Sequence, residues 1–227
     1  MKNLLYKELK LCLNPQVIIF AFLSLLVVIP SWPSAVAFVY LFSGISTIFP
    51  RALADKDIIY SAMLPVRKAD VVKGKVLLVT ALEVFSILIS IPGAIIKILL
   101  LDPMSIDSSS SAAEQASQRA YANSIAPNFA CYGFVFLAMG VFALVLFPWY
   151  YRNPAKINWP GVVSILAGIL TMGIGIALQA FVPQLQNYDT IGLIVQLSVL
   201  AVGIAFFVLA TILAEKKAEK NFAKVDL

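Results

Sequence analysis

Few side chains in this 227-residue chain could do chemistry. It contains no histidine, which removes HExxH-type zinc sites and any Ser-His dyad. Its two cysteines, Cys12 and Cys131, are too few for a disulfide framework, and no CxxC pair is present. An aspartyl dyad needs two carboxylates side by side. The apolar stretches hold one, Glu83. The Gly74-Lys75 pair lacks both the earlier glycine and the following Ser or Thr of a phosphate-binding loop. The chain is therefore not expected to be an enzyme or to hold a metal or cofactor.

The elements that position these residues follow from composition. Hydrophobic residues make up 61% and charged residues 13%, and mean hydropathy is +0.92. A soluble domain carries about twice that charge. The expected class is all-α, a single polytopic transmembrane domain over 1–227 with six spans: Pro15–Ser31, Ala35–Pro50, Lys75–Leu101, Ala126–Tyr151, Pro160–Val182 and Ile191–Ala214. The first two are short, and a single buried hairpin is the alternative there. Residues 2–13 read as an amphipathic interfacial elbow, with Leu4, Leu5, Leu9 and Cys12 on one face and Lys7, Glu8 and Lys10 toward water. No A-x-A-like site follows, so no signal cleavage is expected.

Fifteen of 17 Lys and Arg residues lie at the N-terminus, between spans two and three, between spans four and five, or in the tail 215–227. The positive-inside rule puts both termini in the cytoplasm and explains the net charge of +5 without nucleic acid. The outer loop 102–125 is Ser-rich, with a short helix expected over Ser111–Tyr121 capped by serine.

The cytoplasmic region 51–74 is long for a link between helices. It mixes charge with exposed apolar residues. A short helix is expected over Ala54–Met63, then a break at Leu64-Pro65 and a new helix near Lys68. Either it is an interfacial loop with snorkelling lysines, or it docks a cytoplasmic partner. Within the spans, Glu83 either lines a path or gate, or hydrogen-bonds a neighbouring helix through Gln179 or Gln196. Lys97 is expected to snorkel to the outer headgroups. Pro92 and Gly93 mark a kink, as a pivot or a static bend. Gly168, Gly173, Gly175 and Ala177 should allow close packing. Trp32, Trp149, Tyr150, Tyr151 and Trp159 should anchor at the membrane borders.

Asp55-Lys56-Asp57, Met63-Leu64-Pro65-Val66-Arg67-Lys68 and Val71-Val72-Lys73-Gly74-Lys75, with the elbow Leu4–Leu11, resemble the signature of permease subunits of ABC-2-type exporters, nearest to the small permeases of phenol-soluble-modulin exporters. Met63 stands where that signature often has Ser. The link between spans five and six is too short for the re-entrant helix of larger members. The resemblance implies a bacterial cell-membrane permease dimer, formed with a second copy or a paralogue. A separate cytoplasmic ABC ATPase would carry ATP and Mg. It also implies docking through Asp55, Asp57, Ile58, Ile59, Tyr60, Met63, Leu64, Arg67 and Asp70, with Asp55, Asp57 and Arg67 at the rim. Amphipathic peptides are the implied cargo. The alternative is a non-transporting membrane protein, such as an immunity, assembly or regulatory subunit.

The charge partition makes a direct prediction. In a background lacking Cys12 and Cys131, a cysteine at position 109 should react with an impermeant maleimide added to intact cells. Cysteines at positions 2 or 227 should react only after permeabilisation. External labelling of either end would reverse the assignment.

Overall fold

The structure is a computed structural model and describes residues 7–10, 14–30, 32–57, 60, 67–101, 111–154 and 158–225. It is helical, with no strand among the described residues. The α-helices are α1 (Pro15–Phe22), α2 (Val39–Ala54), α3 (Lys68–Ile96), α4 (Ala112–Ser124), α5 (Phe129–Tyr150), α6 (Asn158–Phe181) and α7 (Thr190–Ala223). Residues 7–10 are also helical; the rest of the expected elbow lies outside the described residues.

Among the described residues, five helical segments are long and apolar enough to cross a membrane: Ser34–Ala54, Lys68–Leu100, Ala112–Tyr150, Asn158–Phe181 and Thr190–Ala223. They are compatible with a multi-pass membrane protein. The first expected span is the exception. The apolar helix there covers only Pro15–Val28. Its last six residues, Leu23–Val28, wind as a 3-10 helix. Ser24 Oγ donates to Ala21 O at 2.8 Å and to Ser86 O on α3 at 2.9 Å, and Pro30 follows. Back-bonding of this kind bends helices.

Capping explains several boundaries. Asn14 accepts from the Gln16 amide with Pro15 at the first helical position. Ser111 and Glu114 form a capping box at α4, bearing out the serine-capped outer helix, which runs on to Ser124. Asn128 caps α5 and Asp189 caps α7. Pro92 lies inside a continuous α3, which ends in a π-helical turn over Lys97–Leu101.

α5 is the central element, with α7 along one side and α6 along another. Its contact with α7 is backbone on backbone. A Cβ on Gly133 would sit 2.7 Å from Val199 O, and one on Gly203 would collide with Gly133 O. Gly44 accepts the Phe20 ring, which closes α1 onto α2, while Gly168 and Gly175 accept Phe42 and Phe134. Gly173 meets nothing, so the small-residue expectation holds for part of α6. Phe42 stacks on Phe142 at 4.8 Å, and Phe49 meets Tyr150 edge-on at 4.7 Å. Tyr150 and Tyr151, at the end of α5, are fully buried in this core rather than exposed as interface anchors would be. Trp32, Trp149 and Trp159 remain exposed.

The glycine contacts give a paired test. Gly203→Val should wedge α5 from α7 and cost about 1–3 kcal/mol. Gly173→Ala should be neutral within about 0.5 kcal/mol. Thermal unfolding of both variants in one detergent checks the contrast; equal melting temperatures would remove the backbone contact from the account.

Candidate functional site

Four charged side chains meet near the end of α2 and the start of α3. Lys7 and Glu8 come from the helical piece at 7–10, Asp57 from the turn after α2, and Lys75 from the second turn of α3. Lys7 Nζ lies 3.0 Å from Glu8 Oε1 and 2.7 Å from Asp57 Oδ1. Lys75 Nζ lies 2.8 Å from Asp57 Oδ2 and 3.6 Å from Glu8 Oε2. Two cations thus alternate with two anions and their charges cancel. Glu8 is 0% exposed, Lys75 1% and Asp57 6%. Charges this deep persist only when paired.

Local backbone geometry delivers Asp57 to this position. α2 ends at Ala54, where the Asp55 amide bonds Arg51 O at 2.9 Å. Lys56 then takes a left-handed conformation with φ 53°, the one non-glycine residue to do so among the described residues. Such a residue is strained, and the reversal turns Asp57 back under the helices. The expected helix over Ala54–Met63 is therefore interrupted at its start. Residues 57 and 60 are helical, and α3 begins at Lys68 as expected.

Burial pushes the Asp57 carboxyl up, but the charge of Lys75 and hydrogen bonds from Lys7 and Lys75 outweigh it, leaving it below its ordinary value. Burial likewise pushes Lys7 down, yet its hydrogen bond to Asp57 and the charge of Glu8 leave it above its ordinary value.

Several expected site residues fall elsewhere. Asp57, expected at the rim of a docking surface, is buried because Lys7 and Lys75 need its charge. Glu8, expected toward water, is buried for the same reason, while Leu9 and Lys10 are exposed; Leu4, Leu5 and Cys12 lie outside the described residues. Asp55 and Arg67 stay at the surface, paired with Arg51 at 3.7 Å and Asp70 at 3.2 Å. Tyr60 is exposed. Ile58, Ile59, Met63 and Leu64 lie outside the described residues.

Glu83 is buried inside the subunit, and neither carboxylate oxygen has a hydrogen-bond partner among the described residues. The suggested glutamines are engaged elsewhere: Gln179 donates to Ala126 O at 2.9 Å, and Gln196 to Asn187 O at 2.9 Å. Ser86 and Ser90 continue the buried polar face of α3, and Ser90 Oγ lies 3.0 Å from Tyr132 Oη. Lys97 ends this face. It does not reach outward as expected but is fully buried, donating to Trp32 O at 2.8 Å and Ser34 Oγ at 3.0 Å. The exposed carbonyl of the Trp32 turn gives the ammonium a nearer acceptor than the headgroups. Gly93 packs on Val28 and the Leu25 carbonyl. A mostly apolar groove of about 470 Å³ opens beside Ile91, Tyr132, Phe136 and Leu200; Glu83 does not line it.

Sequence reasoning missed the four-charge cluster. The available signal was Lys75, a cation at the start of an apolar run that demands a counter-ion; nothing in the sequence singled out Asp57 and Glu8 from the other carboxylates.

No family model, curated protein or solved structure matches this chain.

Removing one partner leaves a buried charge uncompensated. Asp57→Asn and Lys75→Met should each destabilise by about 3–5 kcal/mol. The double variant should recover part of that loss, giving a coupling energy in a thermal-unfolding cycle; additive losses would show that the charges act separately. Because the folded Asp57 value is depressed, its stabilisation is present above the ordinary Asp value, about 3.9. It is lost as pH falls from there through the lowered value. The Lys7 contribution is complete below about 10.4 and is lost as pH rises through its raised value. The cluster's contribution should therefore stay level between about pH 5 and 9.

Proposed function

We propose that the chain is the membrane-spanning permease subunit of an ATP-driven exporter of the ABC-2 type. It crosses the bacterial cell membrane six times, the short α1 included, with both termini in the cytoplasm. Two such subunits, identical or paralogous, form the path. A separate ATPase binds ATP and Mg and docks on the region 51–74. Amphipathic peptides are the cargo, since the spans carry few charges and their surfaces are apolar.

One observation supports this reading above the others. The segment leaving α2 is fastened through Asp57 to Lys75 on α3 and Lys7 on the N-terminal helix, at 2.8 and 2.7 Å. A displacement at the docking segment would therefore pull directly on a helix that candidate-spans the membrane, as mechanical coupling requires. Tyr60, three residues on from Asp57, is 53% exposed and available to a partner.

The test is co-purification of the tagged chain with a Walker-motif ABC ATPase of the same organism, followed by ATPase activity in lipid. Burying one large apolar side chain contributes about 1.5–3 kcal/mol. The double change Ile59→Asp and Tyr60→Ala should thus weaken association by well over tenfold. The change Arg67→Gln should matter far less, as exposed charge pairs are worth about 1 kcal/mol or less. Wild-type association by the double variant would move docking away from this segment.

A further inference from the structure

The inner end of α7 sorts its charges by side. Glu215 and Glu219 turn toward α3, where Lys73 Nζ lies 3.9 and 3.7 Å from them. Ala214, Ala218 and Phe222 are buried against the subunit. Lys216, Lys217, Lys220 and Lys224 are exposed, and none pairs with a carboxylate among the described residues. At about 100° per residue, these four lysines fall within an arc of about 100°. The same arc, followed back along the helix, carries Leu213, Leu209 and Val202, which are 50%, 61% and 62% exposed. One face of a single unbroken helix thus changes from exposed apolar to purely basic near position 214.

The face is held rigidly. Asn221 Nδ2 donates to Pro148 O at 2.7 Å, and Lys68 Nζ donates to Val225 O at 2.8 Å and stands 5.8 Å over the Phe222 ring. The inner side of the helix end is therefore fastened to α3 and α5, and the basic side cannot turn inward to find a counter-ion. The lysines span about 12 Å along the axis, beginning where the apolar face stops. The polar headgroup layer is roughly 5–8 Å deep on each side, and lysine stems bend back along apolar surface.

We propose that Lys216, Lys217, Lys220 and Lys224 form a binding surface for anionic phospholipid headgroups of the surrounding bilayer. The occupant follows from continuity: a face that meets acyl chains through Val202, Leu209 and Leu213 meets the headgroups of those same lipids one turn later. Their phosphates supply the negative charge that the protein withholds by aiming Glu215 and Glu219 at Lys73. This inference rests on the membrane-spanning reading and is independent of the exporter assignment.

The experiment uses the full chain reconstituted in phosphatidylcholine bilayers containing spin-labelled phosphatidylglycerol or spin-labelled phosphatidylcholine. Electron spin resonance reads the fraction of each lipid immobilised on the protein. At 50 mM salt, labelled phosphatidylglycerol should associate several-fold more strongly, and the preference should shrink at 500 mM salt as the charges are screened. Juxtamembrane lysines are each worth about fivefold near an anionic surface. The quadruple variant K216Q/K217Q/K220Q/K224Q should therefore lose at least fivefold of the preference, while K216R/K217R/K220R/K224R keeps it. Should the glutamine variant fail to fold, the wild type alone decides, since no preference at low salt overturns the proposal. A preference that survives in a folded glutamine variant overturns it too.

Discussion

The arrangement depends on the neutralisation of charge where water is excluded. Lys75 enters the bundle with its stem in the apolar core and can remain charged only beside an anion. Asp57 and Glu8 supply it, and Lys7 balances the second carboxylate. That requirement draws together three pieces of chain that no hydrophobic pattern would bring to one point. Such a cluster contributes less to net stability than to uniqueness, because its desolvation offsets much of its attraction. Apolar helices slide over one another at little cost; an alternating set of four charges has one register.

The opposite end of α3 is satisfied by neutral hydrogen-bond partners instead. Lys97 satisfies itself on the Trp32 carbonyl and the Ser34 hydroxyl, and Ser34 Oγ bonds Ile125 O at 2.9 Å. Asn128, Gln179 and Gln196 cap carbonyls in the turns between the last helices. α3 is thus tied at both ends by a lysine, to charges near its start and to dipoles just past its end. Between these ties lie Glu83, Ser86 and Ser90, the polar interior of an otherwise apolar helix.

The helices were legible because hydropathy and length report burial in lipid directly. The four later spans differ from expectation mainly at their ends, and the capping residues Ser111 and Asn128 explain where α4 and α5 start. Orientation of side chains was less legible. Glu8 is buried although the expectation placed charges toward water, which holds only when no buried cation competes for them. Tyr150 and Tyr151 carry the composition of a membrane border yet fill the core, since aromatic rings serve both places. The shortness of the first span was legible, but its 3-10 winding over Leu23–Val28 accompanies a serine bonded across to another helix, a tertiary contact without a local signature.

The unequal heights of the helices bear on the membrane itself. α1 and its 3-10 continuation reach about 24 Å, with Ile19, Phe22 and Leu25 exposed. α6, at 24 residues, reaches about 36 Å. A bilayer core of about 30 Å cannot match both, and mismatch costs a fraction of a kcal/mol per ångström. If the chain spans a bilayer as proposed, the hydrocarbon would thin beside α1, and would thicken or let α6 tilt on the other flank. The protein would then sit in a wedge of its own making, with the bilayer's barrier lowest along the edge where its shortest helix stands.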